Sequence, residues 1–348
     1  MNCDILRTDM EEIYSKMSWD RFNGKSILIT GAYGMLASYL TYFFMFLKEE
    51  KSIDLKLVLL VRSEEKLKAC IGDDEREYIE VVYSNLNEPI DVAGKIDFII
   101  HAASLASPQY YATNPVDVML PNIIGTYNLL NLAKSKNTEG FLLFSTGDIY
   151  GRVTGQTEIT EQCYGIMDTL DIHNCYSESK RAAETLCYSF MIQYEVQVKI
   201  ARIWHTYSPT MNEKSDSRVF ASFIKNIVEN KNIEMKSDGS GMRSFCYITD
   251  AVYGLLKILL DGKPGEAYNV CNEEQFVSIF DLAQMMIRLR PEKNLMVKRR
   301  EPDKNYVENV HLSGQIMRPS SAKLKKLGWL PEVDLKTGFD RVLKFKGM

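Results

Sequence analysis

The feature that most constrains this fold is an alternation of continuous apolar runs with segments of helical length. Each apolar run has the length of a strand and no polar alternation, which indicates burial on both faces. The predicted strands cover residues 26–30, 57–61, 79–83, 96–101, 141–145 and 196–203. Helical segments between them include residues 35–48, 116–134 and 176–194. This order predicts an α/β protein with a doubly wound parallel sheet of Rossmann type.

The first predicted strand runs into Gly31-Ala-Tyr33-Gly34-Met35-Leu-Ala37, a GxxGxxA pattern. Glycines allow a tight turn and a close backbone approach to a pyrophosphate, and the next helix offers free N–H groups. A plain tight turn between strand and helix is the alternative when the pattern is taken alone. Its position between a buried strand and a helix favours a dinucleotide site, with contacts at Gly31, Tyr33, Gly34 and Met35.

The end of the second strand leaves the choice between NAD and NADP open. NAD is usually recognised by an acid there, which accepts a hydrogen bond from the ribose 2′-hydroxyl. Here Arg62 and Ser63 come after the strand, a pair that suits a 2′-phosphate. A solvated Arg62, or one stacked on adenine, is the alternative. Further cofactor contacts are predicted after later strands and on the helices beyond them, at Asn85, Leu86, Ala102, Ala103, Ser104, Asn122 and Ser145.

The regular alternation of predicted strands and helices changes after Ser208 and Pro209. We therefore predict a helical arm over residues 1–24, a dinucleotide-binding domain over residues 25–208, and a smaller mixed substrate-binding region over residues 209–348. Ligands of parallel sheets lie outside the carboxyl ends of the strands. The cleft between the two larger parts is the predicted site.

Composition argues against several partners. Forty-two Lys and Arg against 46 Asp and Glu give a net charge of −4 without a basic stripe, which disfavours nucleic acid. The longest apolar stretch, residues 36–47, spans about 18 Å as a helix, short of the roughly 30 Å bilayer core. The acidic N-terminus does not resemble a signal peptide. Seven scattered Cys without a CxxC pair indicate reduced thiols. We expect a cytoplasmic protein with no membrane contact, no disulfide framework and no metal site.

Three side chains form a candidate catalytic set. Tyr176 and Lys180 stand at i and i+4 and share one helix face. A phenol has a pKa near 10, which a neighbouring ammonium and an oxidised nicotinamide would lower, so Tyr176 is the candidate base. Lys180 would also hold the nicotinamide ribose. Thr146 ends the fifth strand, where its hydroxyl can bond a substrate oxygen. A solvated Lys beside a partly buried Tyr is the alternative for this pair alone.

Together these segments resemble the extended short-chain dehydrogenase/reductases, the NAD-dependent nucleotide-sugar epimerase/dehydratase family, over roughly residues 25–345. The resemblance is carried by ITGAYGMLAS, HAASLASPQYY, STGDIYG, YSESKRAAE, ARIWHTYSP, RSFCYITD and LGWLP. HAASLASPQYY, RSFCYITD and residues 216–219 are most similar to UDP-glucuronate decarboxylases, and STGDIYG is similar to 4,6-dehydratases. The resemblance implies a tightly bound, recycled NAD or NADP. It also implies that Tyr176 and Thr146 act on the sugar C4 hydroxyl to give a 4-keto intermediate.

The fate of the 4-keto intermediate depends on the two residues after Thr146. The 4,6-dehydratases carry Asp-Glu there and the decarboxylases Ser-Glu, whereas this chain has Gly147-Asp148. The general acid is absent and the base, Asp148, is one methylene shorter. The least demanding outcome, 4-epimerisation, is therefore the first prediction, and decarboxylation, 4,6-dehydration and simple keto reduction are alternatives. A non-catalytic dinucleotide-binding scaffold is the alternative of another class.

The resemblance also implies substrate contacts and an assembly. Nucleotide-sugar contacts are expected at Ser107, Tyr110, Gly147, His205, Thr206, Arg218, Arg243 and Arg318. His205 stands where the family usually has Asn; it could donate to a diphosphate when protonated, or be a packed structural His. Family members commonly form homodimers through a four-helix bundle, which here would use residues 116–134 and 176–194.

Overall fold

A parallel sheet of seven strands forms the centre of the protein. The structure is a computed structural model, and it describes residues 4–72, 76–156, 158–213, 216, 218–235, 237–299 and 318–348. The strands are β1 (Lys25–Thr30), β2 (Leu55–Val61), β3 (Ile79–Tyr83), β4 (Phe98–His101), β5 (Gly140–Thr146), β6 (Glu158–Ile159), β7 (Val198–Ile203), β8 (His205–Tyr207), β9 (Ile233–Met235), β10 (Met242–Tyr247), β11 (Ala267–Val270), β12 (Phe276–Ser278), β13 (Val297–Arg299) and β14 (Arg318–Pro319). The order in the large sheet is β3-β2-β1-β4-β5-β7-β11, with every pair parallel. The predicted Rossmann-type sheet is confirmed.

Helices cover both faces of this sheet and fill the C-terminal region. They are α1 (Asp4–Tyr14), α2 (Met35–Glu50), α3 (Glu64–Ile71), α4 (Gln109–Thr113), α5 (Pro115–Lys136), α6 (Cys175–Tyr194), α7 (Val219–Val228), α8 (Ile248–Asp261), α9 (Ile279–Arg288), α10 (Ala322–Lys325) and α11 (Leu335–Phe345). One core cluster joins α2 and α8 to one face, and a second joins α5 and α6 to the other. No helix in the described ranges is long and apolar enough to span a bilayer.

The large sheet contains strands from both sides of the domain boundary predicted at residue 208. β11, which comes after that boundary, pairs with β7, and α8 packs against β5 and β7. β8, which precedes the boundary, pairs instead with β10 in a small three-stranded sheet. The two predicted regions therefore interleave. The sequence pattern did not reveal β11, because this strand has four residues and lies far along the chain from its partner.

The predicted N-terminal arm is an integral part of the core. The Asp9 carboxylate on α1 is fully buried, and it accepts hydrogen bonds from Tyr39 Oη on α2 at 2.9 Å and Tyr247 Oη on β10 at 2.8 Å. Arg341 Nη1 on α11 donates to its other oxygen at 3.0 Å. Burial nevertheless raises the pKa of Asp9 to about 6. The arm thus ties the large sheet's α2 to the C-terminal helix.

We expect Asp9→Ala to lower the free energy of unfolding by about 2–4 kcal/mol, since it leaves two buried phenols and a guanidinium without their acceptor. The matched control is Glu11→Ala on the same helix. Glu11 is half-exposed and pairs with Lys51 at 2.8 Å, so its loss costs below about 1 kcal/mol. Urea unfolding of both variants measures the difference. Equal losses would show that the arm is a surface attachment.

Candidate active site

The predicted glycine turn lies where the sheet's strand order changes direction. From β1 the chain passes to β2 on one side, whereas β4 lies on the other side. Gly31 has φ +67°, and a Cβ there would lie 2.9 Å from the Ala103 Cα just beyond β4. Any side chain at position 31 would therefore close the gap between the two loops. This is the switch point at which doubly wound sheets bind their ligands.

The start of α2 fits a pyrophosphate. Gly34 is its N-cap and provides no side chain to satisfy the first N–H groups of a 16-residue helix. Across the turn, the buried Ser104 hydroxyl has no hydrogen-bond partner among the described residues. Both features are expected where a bound dinucleotide supplies the missing partners. The residues present therefore fit NAD.

A cleft of about 910 Å³ opens from this turn along the carboxyl ends of the strands. It brings together half of the predicted site residues: Tyr33, Gly34, Met35, Ala102, Ser104, Ser107, Ser145, Thr146, Asp148, Tyr176, Lys180 and Arg218. The other half do not line the cleft: Gly31, Arg62, Asn85, Leu86, Ala103, Tyr110, Asn122, Gly147, His205, Thr206, Arg243 and Arg318. The candidate catalytic set is thus assembled around one space.

Thr146, Asp148 and Tyr176 line the cleft together. The Thr146 hydroxyl lies close enough to the Asp148 carboxyl and the Tyr176 phenol to lower the pKa of each. Thr146 Oγ1 also accepts from the Asp148 N–H at 3.1 Å, which caps a short 3₁₀ turn. Asp148 is exposed to the open cleft. The protein atoms around it raise its pKa by desolvation, and Thr146 and the positive charge of Arg243 partly oppose this.

The protein's own groups raise the pKa of Tyr176. Burial and the negative charge of Asp148 raise it well above 10, and Lys180 does not offset them. The Lys180 Nζ donates to the Phe144 carbonyl at 2.8 Å and lies 5.9 Å from the Tyr176 ring centroid. Burial also lowers the pKa of Lys180 to about 8, so it remains mostly an ammonium at neutral pH. Desolvation therefore outweighs Lys180 at Tyr176, and the expected joint effect of Lys180 and an oxidised nicotinamide on the Tyr176 pKa stays a prediction.

Tyr111 is a site residue that the sequence analysis missed in favour of its neighbour Tyr110. The Tyr111 ring is stacked on Tyr176, with centroids 5.3 Å apart and planes 11° apart. Its hydroxyl donates to the Ala106 carbonyl at 3.2 Å. The sequence gives no signal to choose between two adjacent tyrosines, because the choice depends on which face of the short helix α4 meets α6. Tyr111 therefore fixes the plane of the candidate base.

A buried ion pair supports the strand that carries Thr146. Arg202 on β7 donates to Glu184 on α6 through two bonds of 3.1 and 2.8 Å. Glu184 in turn accepts from the cleft residue Ser145 at 2.5 Å. Glu184 lies one helical turn after Lys180, which continues the face that holds Tyr176. The hydrogen bond to Glu184 thus holds the side chain of Ser145, a predicted contact residue, in place.

The predicted cofactor contacts beyond the turn divide into three groups. Arg62 is exposed after β2 and makes no ion pair in the described part of the chain, whereas Lys66 on α3 lines the cleft. Asn85 is exposed, and the buried Leu86 packs against Gly125 of α5. Asn122 is fully buried under the cleft, where its amide donates to Ser179 Oγ at 2.9 Å. The Asn122 Oδ1 has no partner among the described residues, so its predicted cofactor contact stays a prediction.

Arg218 lines the cleft, and the predicted substrate residue His205 lies within reach of its charge. Arg218 is paired with Asp216, and its Nη1 donates to the Thr206 carbonyl at 2.9 Å. His205 has a buried Nδ1 without a described partner, and burial with Arg243 and Arg218 lowers its pKa to about 3. His205 is therefore neutral near pH 7, and whether it contacts a diphosphate or is a packed structural His stays open.

The remaining predicted substrate residues lie outside the cleft. Thr206 is buried on β8, where its hydroxyl donates to the Trp204 carbonyl at 3.3 Å. Arg318 is exposed and donates to the Glu273 carbonyl at 3.2 Å. Neither contact reaches the candidate catalytic group.

Comparison with known proteins agrees with this geometry. The sequence model of the NAD dependent epimerase/dehydratase family matches residues 27–271. UDP-glucuronic acid decarboxylase 6 of Arabidopsis thaliana is 33% identical over 90% of this chain and 86% of its own length. UDP-glucuronic acid decarboxylase 1 of Danio rerio is 31% identical over 92% of this chain and 72% of its own length.

Solved structures share the fold. UDP-glucuronic acid 4-epimerase from Bacillus cereus, in complex with UDP-glucuronic acid and NAD, has a TM-score of 0.73 and 20% identity, covering 92% of this chain and 99% of its own. The dTDP-glucose 4,6-dehydratase from Bacillus anthracis, in complex with NAD, has a TM-score of 0.70 and 17% identity, covering 93% and 96%. At these identities the likeness concerns the fold.

We expect Tyr176→Phe to lower turnover of a nucleotide-sugar substrate by about 10²–10⁴-fold, because the group that exchanges a proton with the substrate is removed. Binding of NAD⁺, followed by calorimetry, stays within about twofold. Tyr111→Phe is the matched control: it keeps the stacked ring and loses only the bond to Ala106, so turnover falls less than about tenfold. Undiminished turnover in Tyr176→Phe would exclude this phenol as the base.

Proposed function

Because this chain belongs to the NAD-dependent epimerase/dehydratase family, we propose that it oxidises C4 of a UDP-linked sugar acid and then decarboxylates the 4-keto sugar. The observation that carries the second step is the Asp148 carboxyl, which lines the cleft together with Thr146 and Tyr176 and whose pKa is raised by desolvation. A raised pKa increases the protonated fraction of a carboxyl, and the protonated form can deliver a proton to carbon. The two relatives named above are about one third identical to this chain and are named as UDP-glucuronic acid decarboxylases, which supports the proposal.

The proposed chemistry divides among three side chains. Tyr176 takes the proton of the C4 hydroxyl, while Thr146 holds the same oxygen. Bound NAD supplies the hydride acceptor at C4 and returns the hydride at the end. Once C4 is a ketone, the bond from C5 to the carboxylate breaks, carbon dioxide leaves, and the electron pair forms the enolate. Asp148 then protonates C5, and Tyr176 returns its proton to the C4 oxygen.

Charge in the cleft supports a sugar acid as substrate. The positive charge of Arg243 acts on Asp148, and both Arg243 and Arg218 act on His205. Guanidinium groups recognise carboxylates and phosphates through paired hydrogen bonds. A UDP-sugar acid carries both groups, so Arg218 at the cleft and Arg243 near it are candidate partners for its diphosphate and its carboxylate.

4-Epimerisation is the second candidate. It needs Thr146, Tyr176 and Lys180 but no further acid, and all three line the cleft. A sugar acid could undergo it through the same ketone without losing its carboxylate. The 4,6-dehydration reaction is less well supported, because Gly147 offers no second acid.

The direct test is mass spectrometry of UDP-glucuronate incubated with the protein and NAD⁺. We expect a product lighter by one carbon dioxide, whereas a product of unchanged mass with a new chromatographic position would indicate the epimerase. Asp148→Asn, which cannot donate a carboxyl proton, should slow product formation by about 10²–10⁴-fold yet still reduce bound NAD⁺. Asp148→Glu is the matched control and keeps the carboxyl. Bound cofactor that no UDP-sugar reduces would instead favour the scaffold alternative.

We also propose a homodimer through the paired helices α5 and α6. These helices pack on each other and expose Ile124 and Tyr127 on α5 and Tyr188 and Ile192 on α6. Ile192 alone is 65% exposed, which is unusual for a large apolar side chain in a helix pair. A second copy of the same pair would bury these side chains in a four-helix bundle.

We expect light scattering to give twice the chain mass for the wild type and the single chain mass for Ile192→Asp, since a buried unpaired charge disfavours the interface. Leu330→Asp is the matched control. Leu330 is 57% exposed but lies outside α5 and α6, so its replacement leaves the dimer intact. A monomeric wild type would exclude the bundle.

A further inference from the structure

The residue between Thr146 and Asp148 has no side chain because an indole occupies the space. A Cβ on Gly147 would lie 2.7 and 2.8 Å from the Cδ2 and Cε2 atoms of Trp204. Such distances are shorter than any ordinary carbon contact, so a side chain at 147 and the indole exclude each other. Gly147 and Trp204 therefore act as a pair, although 57 positions separate them in the chain.

The indole is held in this position from behind. The Trp204 ring is stacked on the fully buried Tyr150, with centroids 5.9 Å apart and planes 26° apart. Trp204 Nε1 donates to Asn269 Oδ1 at 3.2 Å, and Tyr150 Oη donates to the same oxygen at 2.7 Å. Asn269 itself donates to the carbonyls of Ile159 and Ser320. The ring cannot turn away without breaking this set of contacts.

The position of Trp204 in the molecule points to a ligand. It lines the cleft that also holds Thr146, Asp148 and Tyr176. The other two tryptophans, Trp19 and Trp329, are fully buried in the core. A fixed aromatic surface beside polar reacting groups suits a ligand with an apolar face and polar edges. A pyranose ring has this character, since its axial C–H groups lie on a face and its hydroxyls at the rim.

We propose that Trp204 contacts the sugar ring of the nucleotide-sugar substrate through its indole face and selects the sugar moiety, and that Gly147 is required for the indole to lie there. The inference rests on the proposed function, because it takes the ligand to be a UDP-sugar. On this proposal, the apolar indole of Trp204 occupies the space beside Thr146 and recognises the sugar, and no second acid or base lies there. Trp204 is then a specificity-determining residue that holds the ring while Tyr176 and Asp148 exchange protons.

Binding measurements on intact protein test the sugar contact. UDP-glucuronate, UDP-glucose and UDP are titrated by calorimetry into wild type, Trp204→Ala and Trp204→Phe, each with NAD⁺ bound. We expect Trp204→Ala to weaken both UDP-sugars by about tenfold and UDP by less than about twofold. Trp204→Phe retains a ring face and should stay within about threefold of the wild type. Circular dichroism and NAD⁺ affinity check that each variant is folded.

Two results would overturn the sugar contact. One is an equal weakening of UDP and the UDP-sugars in Trp204→Ala, or no weakening. The other is a wild type to which the sugar adds no affinity over UDP. Wild-type protein that binds the UDP-sugars as expected but converts neither would instead refute the proposed reaction and leave the contact standing.

The steric pairing has its own test, which needs no substrate. We expect Gly147→Ala to lower the Tm by at least about 3 °C, because the new methyl group displaces the fixed indole. In a Trp204→Ala background the same substitution should have almost no effect on the Tm. A full loss in both backgrounds, or none in either, would contradict the pairing of Gly147 with Trp204.

Discussion

The reversal of strand order between β1 and β4 is the constraint on which the site depends. The Thr30 hydroxyl at the end of β1 accepts the N–H groups of Ala102 at 3.1 Å and Ala103 at 3.0 Å, just beyond β4. The buried His101 ring bonds the same hydroxyl at 3.1 Å. Burial lowers the pKa of His101 to about 3, so the ring is neutral and can accept on one side and donate on the other. These hydrogen bonds fix the loops after β1 and β4, which form the cleft, at the point where the two loops separate.

The same buried polar chain extends from this reversal to the candidate base. His101 Nε2 bonds the Thr126 hydroxyl on α5 at 3.1 Å. One turn earlier on α5, the Asn122 amide donates to Ser179 Oγ, which donates to the Tyr176 carbonyl at 2.8 Å. Buried hydrogen-bonded groups of this kind hold one geometry, because a broken link leaves an unsatisfied polar atom. The glycine turn and the catalytic helix are therefore positioned together.

The order of elements, the glycine turn and the set Thr146, Tyr176 and Lys180 were predictable because they arise from local pattern. The carboxyl ends of parallel strands lie at one edge of the sheet. Residues at these ends therefore lie close together whatever conformation the loops adopt. The pairing of Gly147 with Trp204 was not predictable, since it is a packing contact between distant segments. The neutral state of His205 also depends on burial and on two arginines that the sequence alone cannot place. The sequence thus predicted several residues that line the cleft at the ends of strands, whereas contacts that depend on side-chain packing could not be predicted.

The coupling between Asp148 and Tyr176 links the two halves of the proposed reaction. The negative charge of Asp148 raises the pKa of Tyr176, and the interaction is mutual, so a Tyr176 phenolate must favour the protonated form of Asp148. Both side chains line the cleft with Thr146, whose hydroxyl lowers the pKa of each. The proposed removal of the C4 hydroxyl proton and the proposed delivery of a proton to C5 are thus linked by one electrostatic coupling, because ionisation of either group makes ionisation of the other less favourable.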